Sequence, residues 1–425
     1  MANLLDAAQP YVGLISKPQP LQCLPGTLPR SIAVSSLGHL DHVLGENIVP
    51  RRSGDDVVTG SGVSSATSVA ELKAAAEALE RYCNIAEGES RIVIASADEM
   101  SDDALDWRRF PKLSDREYAD LQCPLSRFDP SVRIRWIPGF DLIHRRARYV
   151  PLAMTHVFQR LLAGEKFIAP VSTGTAAHTD LATACVSGIC EVIERDATTL
   201  TWLGRLELPK VDLGTVLAGA EDDLVTAYGR YSFYDATTDL GVPTVMCLQM
   251  LDHHETAAQV LCCSTSFDSG QALRKALDEC VGYSSTLGEA MSFPPSVEEF
   301  EDLRHGAAFM ARPSNRNAFG FLLNSTRSSS LHTECTARSP AEQLQWLIAK
   351  VASLDMSLVM VDMTAPEVAQ YGLRVVRAIV PELMPLPYVF RARYLGASRL
   401  YPYISRVRGR PFVEGDVNPD PLAFA

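Results

Sequence analysis

Glu77-Ala78-Leu79-Glu80-Arg81 recurs as Glu191-Val192-Ile193-Glu194-Arg195, and these two phrases decide how the chain is read. Both spell E-x-x-E-R inside an apolar or small-residue stretch. Ala74, Ala75 and Ala76 precede the first phrase; Gly188, Ile189 and Cys190 precede the second. Positions three apart share one helix face, with β-carbons about 5–6 Å apart. Each phrase therefore aims two carboxylates one way and sets an arginine beside the second. A lone E-x-x-E is ordinarily a solvated face. Apolar neighbours on several sides instead imply helices buried for much of their girth, where acids need partners or a metal. Four carboxylates from two facing helices, Glu77, Glu80, Glu191 and Glu194, would form a hard oxygen cage. Such a cage suits Mg²⁺, which takes carboxylates together with substrate phosphates. The adjacent arginines would hold phosphate oxygens bidentately.

Working outward, each phrase follows a small-residue segment. Gly60-Ser61-Gly62 with Ser64 and Ser65 reads as a turn before a helix from about Ser68 to Ile85. It resembles a phosphate-cradling turn at a helix N-terminus, although it lacks the Gly-Lys-Ser/Thr ending of a Walker A loop. Ser172 to Ala177 is again turn-rich and leads to a helix from about Leu181 to Leu203. Turn, helix and E-x-x-E-R thus occur twice, the pattern of a pseudo-repeat. Elsewhere the pattern predicts strands at 133–142, 148–151, 232–235, 244–249, 258–264, 359–362 and 374–380. Helices are expected at 154–162, 270–286 and 367–371. Strands and helices alternate without a strict βαβ rhythm, so the expected fold class is mixed α/β (α+β). Residues 1–57 carry Pro10, Pro18, Pro20, Pro25 and Pro29 and read as an irregular N-terminal arm, flexible or partner-binding, before a catalytic domain at 58–425.

Composition excludes several classes. A net charge of −12 disfavours general nucleic-acid binding. No run of about 18 apolar residues marks a membrane span, and the N-terminus lacks the basic region of a signal peptide. The ten cysteines show no C-x-x-C spacing and read as reduced core thiols of a cytoplasmic protein. Arg391, Arg393, Arg399, Arg406, Arg408 and Arg410 crowd one stretch, which reads as a solubilising face or as a surface for acidic or phosphorylated partners.

Taken in order, many small pieces resemble the YcaO family. They include Gly60-x-Gly62, Glu77-x-x-Glu80-Arg81-Tyr82, Trp136-x-x-Gly139-x-Asp141-Leu142, Ser172-x-Gly174-x-Ala176 and Glu191-Val192-Ile193-Glu194-Arg195-Asp196. Asp239 to Pro243, Ala272 to Glu279, His305, Val361 to Thr364, Gly372 to Arg377, Pro381 and Tyr394-Leu395-Gly396 follow. No piece is decisive alone; their order and spacing carry the resemblance.

The resemblance implies ATP and Mg²⁺ binding in a YcaO-type fold, with the helices of the ATP/Mg site packed on mixed sheets. It implies activation of backbone amides in a ribosomally made precursor peptide. Cys, Ser or Thr as nucleophile gives thiazoline or oxazoline by cyclodehydration, as in bacteriocin and antibiotic biosynthesis. External sulfide gives a thioamide and a backbone amine an amidine. By the same resemblance, Glu77, Glu80, Glu191 and Glu194 match metal-binding acids, and Arg195 a phosphate-contacting arginine. Arg274 or Lys275 with Glu279 falls in the third nucleotide-site helix, and Lys275 holds the register of the family's arginine. Ser61 stands where the family often has lysine, and Lys73 where it often has serine; Lys73 is expected to supply the displaced phosphate charge. Thr179 and Thr183 replace an asparagine and an acid, which implies weaker Mg²⁺ or ATP binding, or a degenerate scaffold. The ending Asn418-Pro419-Asp420-Pro421-Leu422-Ala423-Phe424-Ala425 resembles the proline-rich tail of azoline-forming members. It makes the Ala425 carboxylate a candidate base, with Phe424 as its anchor. Partners implied are a ubiquitin-activating-like subunit that grips the leader, a flavin dehydrogenase acting afterwards, and a homodimer within a larger complex.

Overall fold

A computed structural model describes residues 4–9, 13–39, 57–86, 88–213, 229–287, 293–331, 333 and 335–424. The mixed α/β expectation holds: three sheets are joined by long helices. The first sheet is antiparallel and orders β1 (Gln19–Leu21), β2 (Ser31–His39) and β3 (Val57–Ser64) as β1-β2-β3. The expected irregular arm is thus partly built into the fold, because β1 and β2 pair beside the glycine-bearing strand.

Gly60-Ser61-Gly62 is not a turn but the centre of β3. The reason is packing against helix α1 (Thr67–Tyr82), whose Ala70, Ala74, Ala75 and Ala78 are fully buried. A β-carbon at Gly62 would sit 2.0 Å from the Ala70 carbonyl oxygen, and one at Gly60 2.2 Å from the Ala78 nitrogen. The glycines and alanines let strand and helix backbones touch, which delivers the helix's glutamates to the strand.

A second sheet runs β4 (Val93–Ala95), β5 (Ile134–Asp141), β13 (Val359–Asp362), β14 (Arg374–Ile379) and β7 (Thr175–His178), with β6 (Arg146–Pro151) also on β5. The third orders β11 (Gln259–Thr265), β10 (Thr244–Leu251), β9 (Gly229–Asp235), β8 (Lys210–Val211) and β12 (Ser328–Ser329). Helix α2 (Leu181–Gly204) packs on β14 and β7 on one side and on β11 on the other. This explains why nearly every residue from Ala184 onward is buried. Asp180 caps it by accepting from the Thr183 amide at 2.8 Å. Gly188 lies mid-helix because a β-carbon there would meet the Gly174 carbonyl at 2.6 Å. Helix α3 (Ser269–Leu287) is amphipathic and lays Ala272, Leu273, Ala276, Leu277, Cys280 and Val281 on β10 and β11.

Two further expectations change. The helix at 154–162 does not form; one 3-10 turn at Leu152–Met154 is followed by irregular chain. There the Val157 and Phe158 amides donate to the Asn84 carbonyl, each at 3.1 Å, so tertiary hydrogen bonds replace helical ones. The C-terminal arginines are largely spent inside the fold. Arg399 pairs with buried Asp196 at 2.8 Å and with Asp239 at 2.6 Å, and Arg406 also reaches Asp239. Arg391 pairs with Asp120 and Glu298, Arg393 donates to the Asn418 carbonyl, and Arg408 to the Gly204 carbonyl. All ten cysteines are free thiols, buried apart from Cys23 and Cys123, which are half-buried. Among the described residues no helix is long and apolar enough to cross a membrane.

Candidate functional site

Helices α1, α2 and α3 converge between the three sheets, and the two phrases meet there. Each phrase's first glutamate is held by a backbone amide from the glycine-bearing strand or turn ahead of it. Glu77 Oε2 accepts from the Ser61 amide at 2.5 Å and from the Ser61 hydroxyl at 3.2 Å. Glu191 Oε2 accepts from the Gly174 amide at 2.9 Å. Gly174 adopts φ +87°, a conformation glycine takes at little cost, and is pinched between the Ala378 carbonyl and Val192. The pseudo-repeat is therefore geometric as well as textual.

The arginines also repeat. Arg81 bridges Glu77 at 2.7 Å and donates to the Thr59 carbonyl. Arg195 lies 3.3 Å from Glu191 Oε1 and 3.7 Å from Glu194 Oε1. Glu194 is 5% exposed and accepts from the Thr265 amide of β11 at 3.1 Å. Burial holds its carboxyl well above the usual range, with Glu279 and Glu191 adding to the rise and Arg195 and Lys275 opposing it. Glu80 is likewise raised, by burial first and then by Glu191 and Glu77. Glu279 follows the same pattern.

Lys275 is exposed on α3, one turn before Glu279. Neighbouring protein opposes its charge, but Glu279, Glu194 and Glu191 outweigh that and hold the ammonium above the usual lysine range. Arg274 is exposed one residue earlier on α3.

The single four-carboxylate cage is not what the fold builds. Among the described residues no three His, Cys, Asp or Glu side chains gather closely enough to hold one metal ion by themselves. Glu77, Glu191 and Glu194 each turn an oxygen to a backbone amide. Lys73 is also placed differently. Its ammonium donates to the Val63 carbonyl at 2.7 Å and lies 3.8 Å from Asp278, tying β3 to α3 rather than standing free for phosphate. Thr179 is exposed, and Thr183 bonds the capping Asp180 at 2.7 Å.

The residues fit a metal–phosphate ligand all the same. Arg195 Nε and Nη1 and Arg377 Nε are buried donors with no hydrogen-bond partner. They stand beside carboxylates whose mutual repulsion a cation would relieve. Mg²⁺ ordinarily uses one or two carboxylates and completes its shell with phosphate and water, so a preformed cage is not needed.

The tail reaches this site. The Asn418 amide donates to the Leu203 carbonyl at 2.9 Å, and Asn418 Nδ2 to the Trp202 carbonyl at 3.1 Å. Leu422 lies against Gly306 in helix α4 (Leu303–Met310), where a β-carbon would meet its carbonyl at 2.4 Å. Phe424 is fully buried, bridges to Leu261 of β11, and lies under the Arg195 guanidinium. Ala425 lies outside the described residues. In the sequence Arg377 is only the last residue of the motif Gly372 to Arg377, which gives it no role of its own. The available signal was an arginine in the apolar run Arg374-Val375-Val376-Arg377-Ala378-Ile379, where a buried charge needs a reason.

These features define a class: a mixed α/β protein with paired glutamate helices built around an anionic, arginine-lined site. Residues 60–384 match the family described as YcaO cyclodehydratase, ATP- and Mg²⁺-binding, and the chain belongs to that family. Its fold is similar to a heterocyclase solved in complex with substrate and cofactor, with TM-score 0.78 and 21% identity, covering 98% of this chain and 56% of that one. It is also similar to the YcaO protein of Methanopyrus kandleri bound with AMPPCP and Mg²⁺, with TM-score 0.60 and 18% identity over 87% of this chain and 86% of that one. The E. coli microcin synthetase McbBCD complex with pro-MccB17 bound gives TM-score 0.65 and 12% identity, covering 99% of this chain and 98% of the matched one. An uncharacterized protein in the tfuA 3' region of Rhizobium leguminosarum bv. trifolii is 29% identical over 127 residues, 28% of this chain and 29% of that protein. The chain thus spans little over half of the first heterocyclase and under a third of the Rhizobium protein.

Proposed function

We propose that this chain is an ATP-dependent cyclodehydratase that activates backbone amides of a ribosomally made precursor peptide and closes Cys, Ser or Thr onto them as azolines. What carries the reading is the convergence of both E-x-x-E-R phrases with Lys275 and Glu279 around the unpartnered nitrogens of Arg195. Amide oxygen is a poor leaving group, and phosphorylation is a direct way to remove it. When bound, ATP with Mg²⁺ supplies that phosphoryl group.

The chain's own residues do the rest. Glu77, Glu80, Glu191 and Glu194 would hold the metal. Arg195 Nε and Nη1 would donate to phosphate oxygens, and Lys275 and Arg274 would balance phosphate charge. Glu279, one turn along α3, favours the charged form of Lys275. The Ser61 and Gly174 amides fix the first glutamate of each phrase. Phe424 packs against Arg195, and the Ala425 carboxylate that follows it in sequence would orient the amide or take its proton. A leader-gripping partner subunit, ubiquitin-activating-like, delivers the peptide in a cytoplasmic assembly containing a homodimer of this chain, and a flavin dehydrogenase oxidises the rings.

The test is co-expression with the precursor, with and without the partner, followed by mass spectrometry. Cyclodehydration removes about 18 Da at each modified Cys, Ser or Thr, whereas thioamidation adds about 16 Da. A gain would move the assignment to thioamide formation, and loss of water at a backbone amine to amidine formation. Unmodified peptide in the presence of partner and nucleotide would favour a scaffold that has lost turnover, the reading that Thr179 and Thr183 motivate.

A further inference from the structure

The two glutamate helices are joined beneath the site through β14 and β7, and Arg377 stands at the junction. Arg377 pairs in register with Thr175, and its Nη1 donates to the Thr175 hydroxyl at 2.9 Å. That hydroxyl lies 3.4 Å from Asn84 Oδ1, and Asn84 Nδ2 donates to the Glu80 carbonyl at 3.0 Å. On the other side, the Ala378 amide donates to the Gly174 carbonyl at 2.8 Å, and the Gly174 amide holds Glu191. Arg377 Nη2 donates to the Val171 carbonyl at 2.6 Å, and Nε has no hydrogen-bond partner.

Such a placement is costly. Arg377 is 5% exposed on an interior strand, and no carboxylate forms a direct salt bridge with it among the described residues. An apolar side chain of similar volume would pack there without a desolvation penalty. Burial pushes its guanidinium down to about 10, and the groups that oppose the shift are Glu191 and Glu80, one from each phrase. The charge therefore serves both helices at once.

We propose that Arg377 is a positioning residue: by its ties to the Thr175 hydroxyl, through it to Asn84, and to the Val171 carbonyl ahead of β7, it fixes the spacing of the Glu80 and Glu191 helices at which a Mg²⁺–nucleotide complex is held. This rests on the nucleotide-site reading above. The variant Arg377→Met keeps volume and removes charge and donors; Arg377→Lys keeps charge. The measurement is AMPPCP binding by the full chain as a function of Mg²⁺ concentration, alongside the thermal midpoint. Arg377→Met is expected to raise the Mg²⁺ concentration for half-maximal binding by about tenfold or more, the usual effect of losing an outer-shell partner, with Arg377→Lys recovering most of it. Failure of the wild-type chain to bind AMPPCP with Mg²⁺ would overturn the nucleotide site itself. Wild-type binding with an unchanged Mg²⁺ requirement in a folded Arg377→Met would overturn only the role of Arg377. Should that variant not fold, Thr175→Val decides, because it keeps the arginine and removes the link to Asn84. A raised Mg²⁺ requirement supports the proposal, and an unchanged one overturns it.

Discussion

The Arg195 guanidinium carbon lies 4.7 Å from the centroid of the Phe424 ring. One contact thereby joins the second glutamate phrase to the end of the chain. Phe424 is fully buried, and burying such a ring contributes up to about 3 kcal/mol. The stacking with a desolvated arginine adds about 1–2 kcal/mol. The tail is therefore a packed structural element up to Phe424, whose ring stands against the Arg195 guanidinium.

Extending the chain by two residues after Ala425 should cut ring formation by at least about tenfold, about 1.4 kcal/mol of barrier. Phe424 stays in place in that variant, so AMPPCP binding should persist. Deleting Phe424 and Ala425 removes the ring from Arg195 as well, and should weaken nucleotide binding along with ring formation. Peptide mass spectrometry and AMPPCP titration of both variants check this. An extended chain that forms rings at the wild-type rate would remove the tail from the mechanism.

Glu191→Gln should lower ATP turnover by about 100-fold or more, the scale expected when a preorganised charge is lost. The amide oxygen of glutamine can still accept from the Gly174 N–H, so the fold should hold and the thermal midpoint should move little. Phosphate release assays and thermal denaturation measure the two effects separately. Wild-type turnover in this variant would take Glu191 out of the metal site.

The helices that carry the site were legible because a buried helix announces itself by period and by small residues. The phrase at 191–195 falls on α2 within a residue of its expected bounds, and Val359–Asp362 is a strand as read. The failures share a cause. Gly60-Ser61-Gly62 looks like a turn locally, and its pairing with β2 together with its close contact with Ala70, Ala74 and Ala78 makes it a strand. Residues 154–162 have helical composition, but the Val157 and Phe158 amides go to Asn84. Lys73 falls on the glutamate face, yet Asp278, over two hundred residues away in sequence, claims its charge. Sequence carries residue type and spacing; which distant group arrives first at a side chain is settled by packing.

Gly62→Ala should destabilise the chain by about 1–3 kcal/mol, the usual cost of forcing atoms into a filled interior. The added methyl would stand 2.0 Å from the Ala70 carbonyl and 2.6 Å from the Ala74 nitrogen, so strand and helix must separate. The neighbouring Ser61 amide then moves away from Glu77. Ser61→Ala leaves that amide in place and should be nearly silent. Urea denaturation with AMPPCP titration separates them: the glycine variant should lose stability and nucleotide affinity together, and equal behaviour of the two variants would refute the argument.

Stability should fall between pH 6.5 and pH 4 because of His156. The ring is 3% exposed, and burial holds its pKa down at about 4, with Glu89 opposing and Arg377, Arg91 and Arg135 reinforcing the shift. The Thr155 hydroxyl donates to the Leu152 carbonyl at 2.9 Å and lies 2.9 Å from His156 Nδ1, an arrangement that suits a neutral ring carrying its proton on Nδ1. Above pH 6.5 the ring is neutral in both folded and unfolded chains and adds no pH dependence. Between 6.5 and 4 the unfolded chain binds a proton that the folded chain refuses, so folding loses about 3 kcal/mol across that window and no more below it. The loop strained by this protonation is the one whose Val157 and Phe158 amides hold the Asn84 carbonyl at the end of α1. His156→Gln should flatten the slope. Urea midpoints at pH 7 and pH 4.5 for both proteins provide the check, and parallel losses in the two would assign the acid sensitivity to other groups.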